Sequence, residues 1–188
     1  GERLNHGCCP TVLMERFHVK RGLMKQINAD GGLIKLAREH FEDVKASGDD
    51  GFEGRFAILT LVSGEYGSDG TLLVEGQQMK GDELSDFLEQ EDGREQAMES
   101  RQRWSAFLDA ATGYDAKRRG DKAKESTKKA SKAKSAIRQT RHLMTMTNVD
   151  EETTAEAEAL ITEIEEALER GDNTRAASRG EKLGKLFG

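Results

Sequence analysis

One stretch constrains this chain more than any other: Ala116 to His142, AKRRGDKAKESTKKASKAKSAIRQTRH, with eleven Lys and Arg against only Asp121 and Glu125. It lies in a protein of formal net charge −6, so it is an island of opposite sign. Ala116, Ala123, Ala130, Ile137 and Met144 recur every seven residues, flanked by Ser126, Ala133 and Thr140. Apolar and small residues at that interval, with cations between them, predict one long helix over 116–146 with a narrow seam and a basic exterior. Gly120 is expected to mark a bend or a frayed start, since glycine costs a helix about 1 kcal/mol. The single proline, Pro10, lies outside every periodic segment, so nothing interrupts long helices downstream.

The rest of the chain is acidic on both sides of this run. Residues 1–115 hold 13 basic and 22 acidic side chains, and residues 143–188 hold 5 and 11. A basic block between acidic flanks points either to a polyanionic partner or to neutralisation within the molecule. No apolar run approaches the roughly 20 residues of a membrane span, and the N-terminal residues lack the apolar centre of a secretory signal. The two cysteines, Cys8 and Cys9, are adjacent. They cannot form a disulfide framework and fit a reducing compartment, so the expected location is cytoplasmic. Residues 1–15 show no period and read as a flexible terminus. His6 with the two cysteines falls short of the four ligands of a structural zinc site.

An α+β domain is expected over 16–115. Arg16 to Lys20 alternates as a short strand with Phe17 and Val19 inward. Leu33, Ile34, Ala37, Phe41 and Val44 share one helical face, with Asp30 as its cap. Arg55 to Val62 reads as a central strand, Ser63 to Gly70 as a turn, and Thr71 to Glu75 as its antiparallel partner. Leu84, Phe87 and Leu88 mark a short helix. Ala97, Arg101, Trp104, Phe107, Leu108 and Ala111 mark a longer one, whose core-type face points Trp104 at the sheet rather than at a nucleobase. The expected order is β-α-β-β-α, a small antiparallel sheet with helices on one face.

Gly113 suits a left-handed helix end and Asp115 suits the cap of the next helix. Residues 116–188 are expected to form a bundle of about three helices. These are the basic helix and a helical hairpin over 150–187, which starts at Asp150-Glu151-Glu152 and turns at Gly171-Asp172-Asn173.

Three features resemble a known family: Lys20-Arg21-Gly22 after the first strand, the Ser63-Gly64-Glu65-Tyr66-Gly67 segment, and the run from Trp104 through Phe107, Leu108, Thr112, Gly113, Tyr114 and Ala116 to Arg119. They are similar to an uncharacterised archaeal family with a strand ending KRG, a turn near SYG and a helix ending FLxxATGYTAKxRKK. The resemblance covers roughly residues 17–124. It implies domain limits and an archaeal source and carries no activity to import; here SGEYG departs from SYG by insertion.

No catalytic constellation is present. His6, His18, His40 and His142 lie in separate segments, and His40 reads as a helix-surface residue. There is no phosphate-binding loop, nucleophile elbow or dinucleotide fingerprint. No cofactor, metal site or catalytic residue is assigned, and the chain reads as non-enzymatic. The positive signal is the basic helix, with candidate nucleic-acid-binding residues Lys117, Arg118, Lys122, Lys124, Lys128, Lys129, Lys132, Lys134, Arg138 and Arg141. Like charges four apart on a helix cost a few tenths of a kcal/mol per pair, so something must offset them. Lysine outnumbers arginine here and no aromatics are interleaved, which favours phosphate contacts over base readout. The expected partner is RNA, the ribosome or DNA. The alternative is an interaction module, in which the basic helix pairs with acidic helices of the same chain, of a second copy in a homo-oligomer or of another protein. A mostly alanine seam gives no bulky face to insert into a membrane.

Overall fold

The computed structural model describes residues 13–188 of the chain; the expectation for residues 1–12, including His6, Cys8 and Cys9, lies outside the described residues. The remainder forms two compact units, one ending at Arg119 and one running over Gly120–Gly188.

The first unit is α+β. It contains β1 (Leu13–His18), α1 (Leu23–Ala29), α2 (Gly32–His40), β2 (Glu42–Ser47), β3 (Gly51–Phe56), β4 (Leu59–Tyr66), β5 (Thr71–Gln78), α3 (Gly81–Glu89) and α4 (Gly93–Thr112). The sheet order is β1-β5-β4-β3-β2, antiparallel throughout. Strands β2 to β5 therefore form a meander, and β1 closes against its far edge. Alternate residues of the central strands, Phe52, Val62, Leu72 and Val74, point to one face. There they meet Leu33 and Ala37 of α2 and Phe107, Leu108 and Ala111 of α4 in one core. Phe41, Phe52 and Phe107 lie within 6.1 Å of one another, centroid to centroid. Trp104 packs on this cluster, with Gly76 of β5 leaving space beneath its ring. It thus joins helix to sheet, as its core-type face suggests.

Five strands stand where three are expected, and each difference has a local cause. The helix over residues 33–44 stops at His40. Phe41 and Val44 keep their helical spacing by accident, because β2 is a bulged edge strand: with Asp43 at φ 52°, these two residues three apart both reach the core. A bulge shifts the inward period from two toward three. Arg55 to Val62 is not one strand but the two arms of a hairpin, turned at Ala57-Ile58 with Ala57 at φ 47°. Ser63 to Tyr66 is not a turn but the end of β4. Gly64 is needed there because a Cβ would come within 2.8 Å of the Phe52 ring. The turn proper is Gly67 to Gly70. Asp30 does not cap α2; Gly31 occupies that position without a side-chain bond, and Asp30 pairs with Lys35 at 3.2 Å. Leu13 to Glu15, expected to be loose, belong to β1. His40 is half-buried, its Nδ1 3.0 Å from Leu36 O and its ring edge-on to Phe107, rather than on a helix surface.

The join at residue 113 follows expectation. Gly113 ends α4 in the left-handed region at φ 76°. Asp115 Oδ1 accepts from the Arg118 amide at 2.8 Å and opens α5 (Ala116–Met146). Arg119 is 7% exposed. Its guanidinium donates to Asp109 and to Tyr114 O and lies 5.8 Å from the Phe17 ring centroid.

The second unit is a helical bundle made of the remainder of α5 with α6 (Glu151–Arg170) and α7 (Asn173–Lys185). Asp150 caps α6 by accepting from Thr153 N, and Asp172 caps α7 by accepting from Arg175 N. Ala133 and Ile137 of α5, Ala157, Leu160, Ile161, Ile164 and Ala167 of α6, and Ala176 and Leu183 of α7 form its core. Gly180 lets α7 approach α5 until an added Cβ would sit 3.4 Å from Ala133 Cα.

Candidate nucleic-acid interface

The bundle core fixes which way each cation of α5 points. The seam is carried by Ala130, Ala133, Ile137, Thr140 and Met144, whereas Ala116 and Ala123 are exposed. The flanking series Ser126-Ala133-Thr140, rather than the leading alanines, therefore sets the buried line in the first half. Burial of Ile137, the one large apolar side chain at mid-helix, anchors the orientation, and the drift of a straight helix by about 20° per heptad then carries Ala116 and Ala123 off that line.

The eight candidate cations of the second unit divide into two groups by what they meet. Four have a polar partner in the bundle, three of these on a neighbouring helix. Lys132 Nζ lies 3.4 Å from Glu181, Arg141 Nη2 lies 3.3 Å from Glu165, and Lys129 Nζ lies 3.2 Å from the Thr174 hydroxyl. Lys122 pairs with Glu125 on its own helix at 3.4 Å. These are exposed pairs of modest strength, each contributing about 0–1 kcal/mol.

The second group is Lys124, Lys128, Lys134 and Arg138. They fall within about a third of the helix circumference, running from beside the seam at Lys134 to the side away from it at Lys128, and all four are exposed. None meets a carboxylate among the described residues; Arg138 Nη2 donates to Ser135 Oγ at 3.0 Å. In the first unit, Lys117 and Arg118 are exposed at the start of α5, with the Arg118 guanidinium 6.0 Å from the Tyr114 ring centroid. The structure thus separates ten candidates into three tied to carboxylates, one on a hydroxyl, four on an outer stripe and two at the helix start. Of the carboxylates that take part, Glu125 is on α5 itself, while Glu165 and Glu181 carry no sequence signal that singles them out. Only the packing of α6 and α7 brings them to α5.

Among the described residues no cluster of three or more His, Cys, Asp or Glu side chains is placed to hold a metal, and no helix is long and apolar enough to cross a membrane. The architecture is that of an α+β domain continued by a helical bundle along a shared helix. Residues 14–125 match the model of a family described as Domain of unknown function (DUF5611), and the chain belongs to that family. The match takes in the sheet, α1 to α4 and the start of α5, close to the limits implied by the KRG and ATGY resemblance. No curated protein and no solved structure matches the chain.

Proposed function

We propose that this is a non-enzymatic, nucleic-acid-associated protein of the cytoplasm, from an archaeal source, that holds the phosphate backbone of RNA or DNA through the outer stripe of α5. The carrying observation is that Lys124, Lys128, Lys134 and Arg138 share one exposed face and meet no carboxylate among the described residues. Like charges held on one face of a helix gain most from counter-charges supplied from outside. Phosphate oxygens supply them without sequence preference, and the ammonium groups of lysine act as point charges rather than as base readers.

The test is fluorescence anisotropy with a labelled structured RNA at low salt. The wild-type chain binds; the variant K124E/K128E/K134E/R138E binds about a hundredfold more weakly or not at all, with an unchanged circular dichroism spectrum. Undiminished binding by that variant overturns the reading.

A second reading, an assembly module, draws on a separate observation. Glu151, Glu158, Glu165, Glu166 and Glu169 are exposed on α6, and the Arg141–Glu165 pair is a local instance of basic and acidic helices meeting. It is favoured if RNA binding is absent and the protein associates with itself at low salt.

A further inference from the structure

The helices α2 and α4 cover one face of the five-stranded sheet. Among the described residues no helix packs on the opposite face, and the strand register arranges it as a grid. Reading across β1, β5, β4, β3 and β2, one row is Arg16, Leu73, Glu65, Gly51 and Ser47, and the next is Met14, Glu75, Ser63, Glu53 and Lys45. Gly51, Ser47 and Ser63 make a dip in this face, a cavity of about 270 Å³. Gly51 has no freedom to fill it, since a Cβ there would come within 2.5 Å of Ser47 O. Met14 on its rim is 64% exposed, and Leu73 is half-buried beside it. Of the three carboxylates around the dip, Glu53 pairs with Lys45 at 3.7 Å. Glu65 and Glu75 have no cationic partner among the described residues.

We infer that this bare face is a docking surface for a cationic helix, and that its occupant is the outer stripe of α5 from a second copy of this chain. Two other occupants are disfavoured by charge. Nucleic acid would bring phosphates against Glu53, Glu65 and Glu75, and the same sheet face of a second copy would bring carboxylate against carboxylate. The complementary element is already present in the molecule, as an exposed stripe of Lys124, Lys128, Lys134 and Arg138. Its spacing fits as well. Lys124 and Lys128 are one helical turn apart, about 5–6 Å. Glu65 and Glu75 are diagonal neighbours on adjacent strands, about 7–8 Å apart, within the span of two flexible lysine stems. Leu73 and Met14 would lie under the aliphatic parts of those stems. The face is that of one five-stranded sheet, so the association belongs with weak, transient interfaces and depends on ionic strength.

The experiment is sedimentation velocity on the full chain over a concentration series, at about 50 mM and about 500 mM salt. The expected result is reversible self-association at low salt, at least tenfold weaker at high salt and abolished in E65K/E75K. The milder E65Q/E75Q should weaken it, and circular dichroism should show both variants folded. RNA anisotropy on E65K/E75K separates this inference from the proposed function, because the α5 stripe is intact there and RNA binding should persist. A wild-type chain that stays monomeric at low salt overturns the inference. So does association that survives high salt or E65K/E75K.

Discussion

Tyr66 carries its phenol from the end of β4 into the first core, where the hydroxyl donates to Ala111 O at 2.6 Å. Ala111 is in the last turn of α4, whose final carbonyls have no amide of their own helix to meet, so this bond secures a helix end and a strand at once. Tyr66→Phe should cost about 1 kcal/mol in a denaturant titration at neutral pH, the net value of one such bond. Burial also pushes the phenol's pKa well above its ordinary value. A group whose pKa is raised on folding contributes its stability in full below the unfolded value, about 10 for tyrosine, and loses it as the pH climbs toward the folded value. Stability of the wild type should therefore fall above pH ~10 more steeply than that of Tyr66→Phe, and the two curves should converge. Parallel curves would mean that the hydroxyl is already solvated. Gly64 makes the same point about local signals. In the sequence SGEYG it looks like a turn, but the Phe52 ring fills the space where its Cβ would stand, and only the register of two strands reveals that.

At the level of elements, α5 contains two glycine neighbourhoods with opposite consequences. Gly120 lies inside the helix, not at a frayed start, and a Cβ there meets nothing within 4 Å. Gly120→Ala should raise thermal stability by about 0.5–1 kcal/mol, the propensity difference alone. Gly180 of α7 is buried against Ala133 and Ala136, and Gly180→Leu should cost about 1–3 kcal/mol by overpacking. A null or reversed effect at either site, read from thermal unfolding, would show that the packing of α5 is misassigned. The long helices are legible in the sequence because their apolar period is sustained and their ends carry chemical signals: Gly113, Asp115, Asp150 and Asp172 all act as their positions suggest. The sheet is less legible. The β3–β4 turn uses Ala57 and Ile58, neither of which announces a turn, and the bulge in β2 gives an edge strand a helix-like period. The seam of α5 is legible in its period but not in its phase, because a straight helix drifts about 20° per heptad and so carries Ala116 and Ala123 off the line on which Ile137 is buried.

Over the whole molecule the charge is unevenly held. Residues 1–119 carry 16 basic and 22 acidic side chains, while Gly120–Gly188 carry 13 of each. A neutral second unit would be an unpromising polyanion binder if charge acted from a single point, but it does not. The outer stripe of α5 and the exposed acids of α6 lie on separate helices whose axes are about 8–10 Å apart, with the exposed groups farther apart still. At 0.1 M salt the Debye length is about 10 Å, so an incoming phosphate feels mainly the near face. The number of contacts can then be read from salt dependence. If the four stripe cations engage single-stranded RNA, the logarithm of affinity should fall with the logarithm of salt with a slope of about −3, at roughly 0.7 per phosphate contact. Replacing Lys128 and Lys134 by Ala should flatten that slope by about 1.4. Replacing Lys132 and Arg141, which are tied to Glu181 and Glu165, should leave it nearly unchanged. Equal flattening by the two pairs would mean that the bundle does not hold the cations apart as its seam dictates, and that the whole cylinder, not one stripe, meets the polyanion.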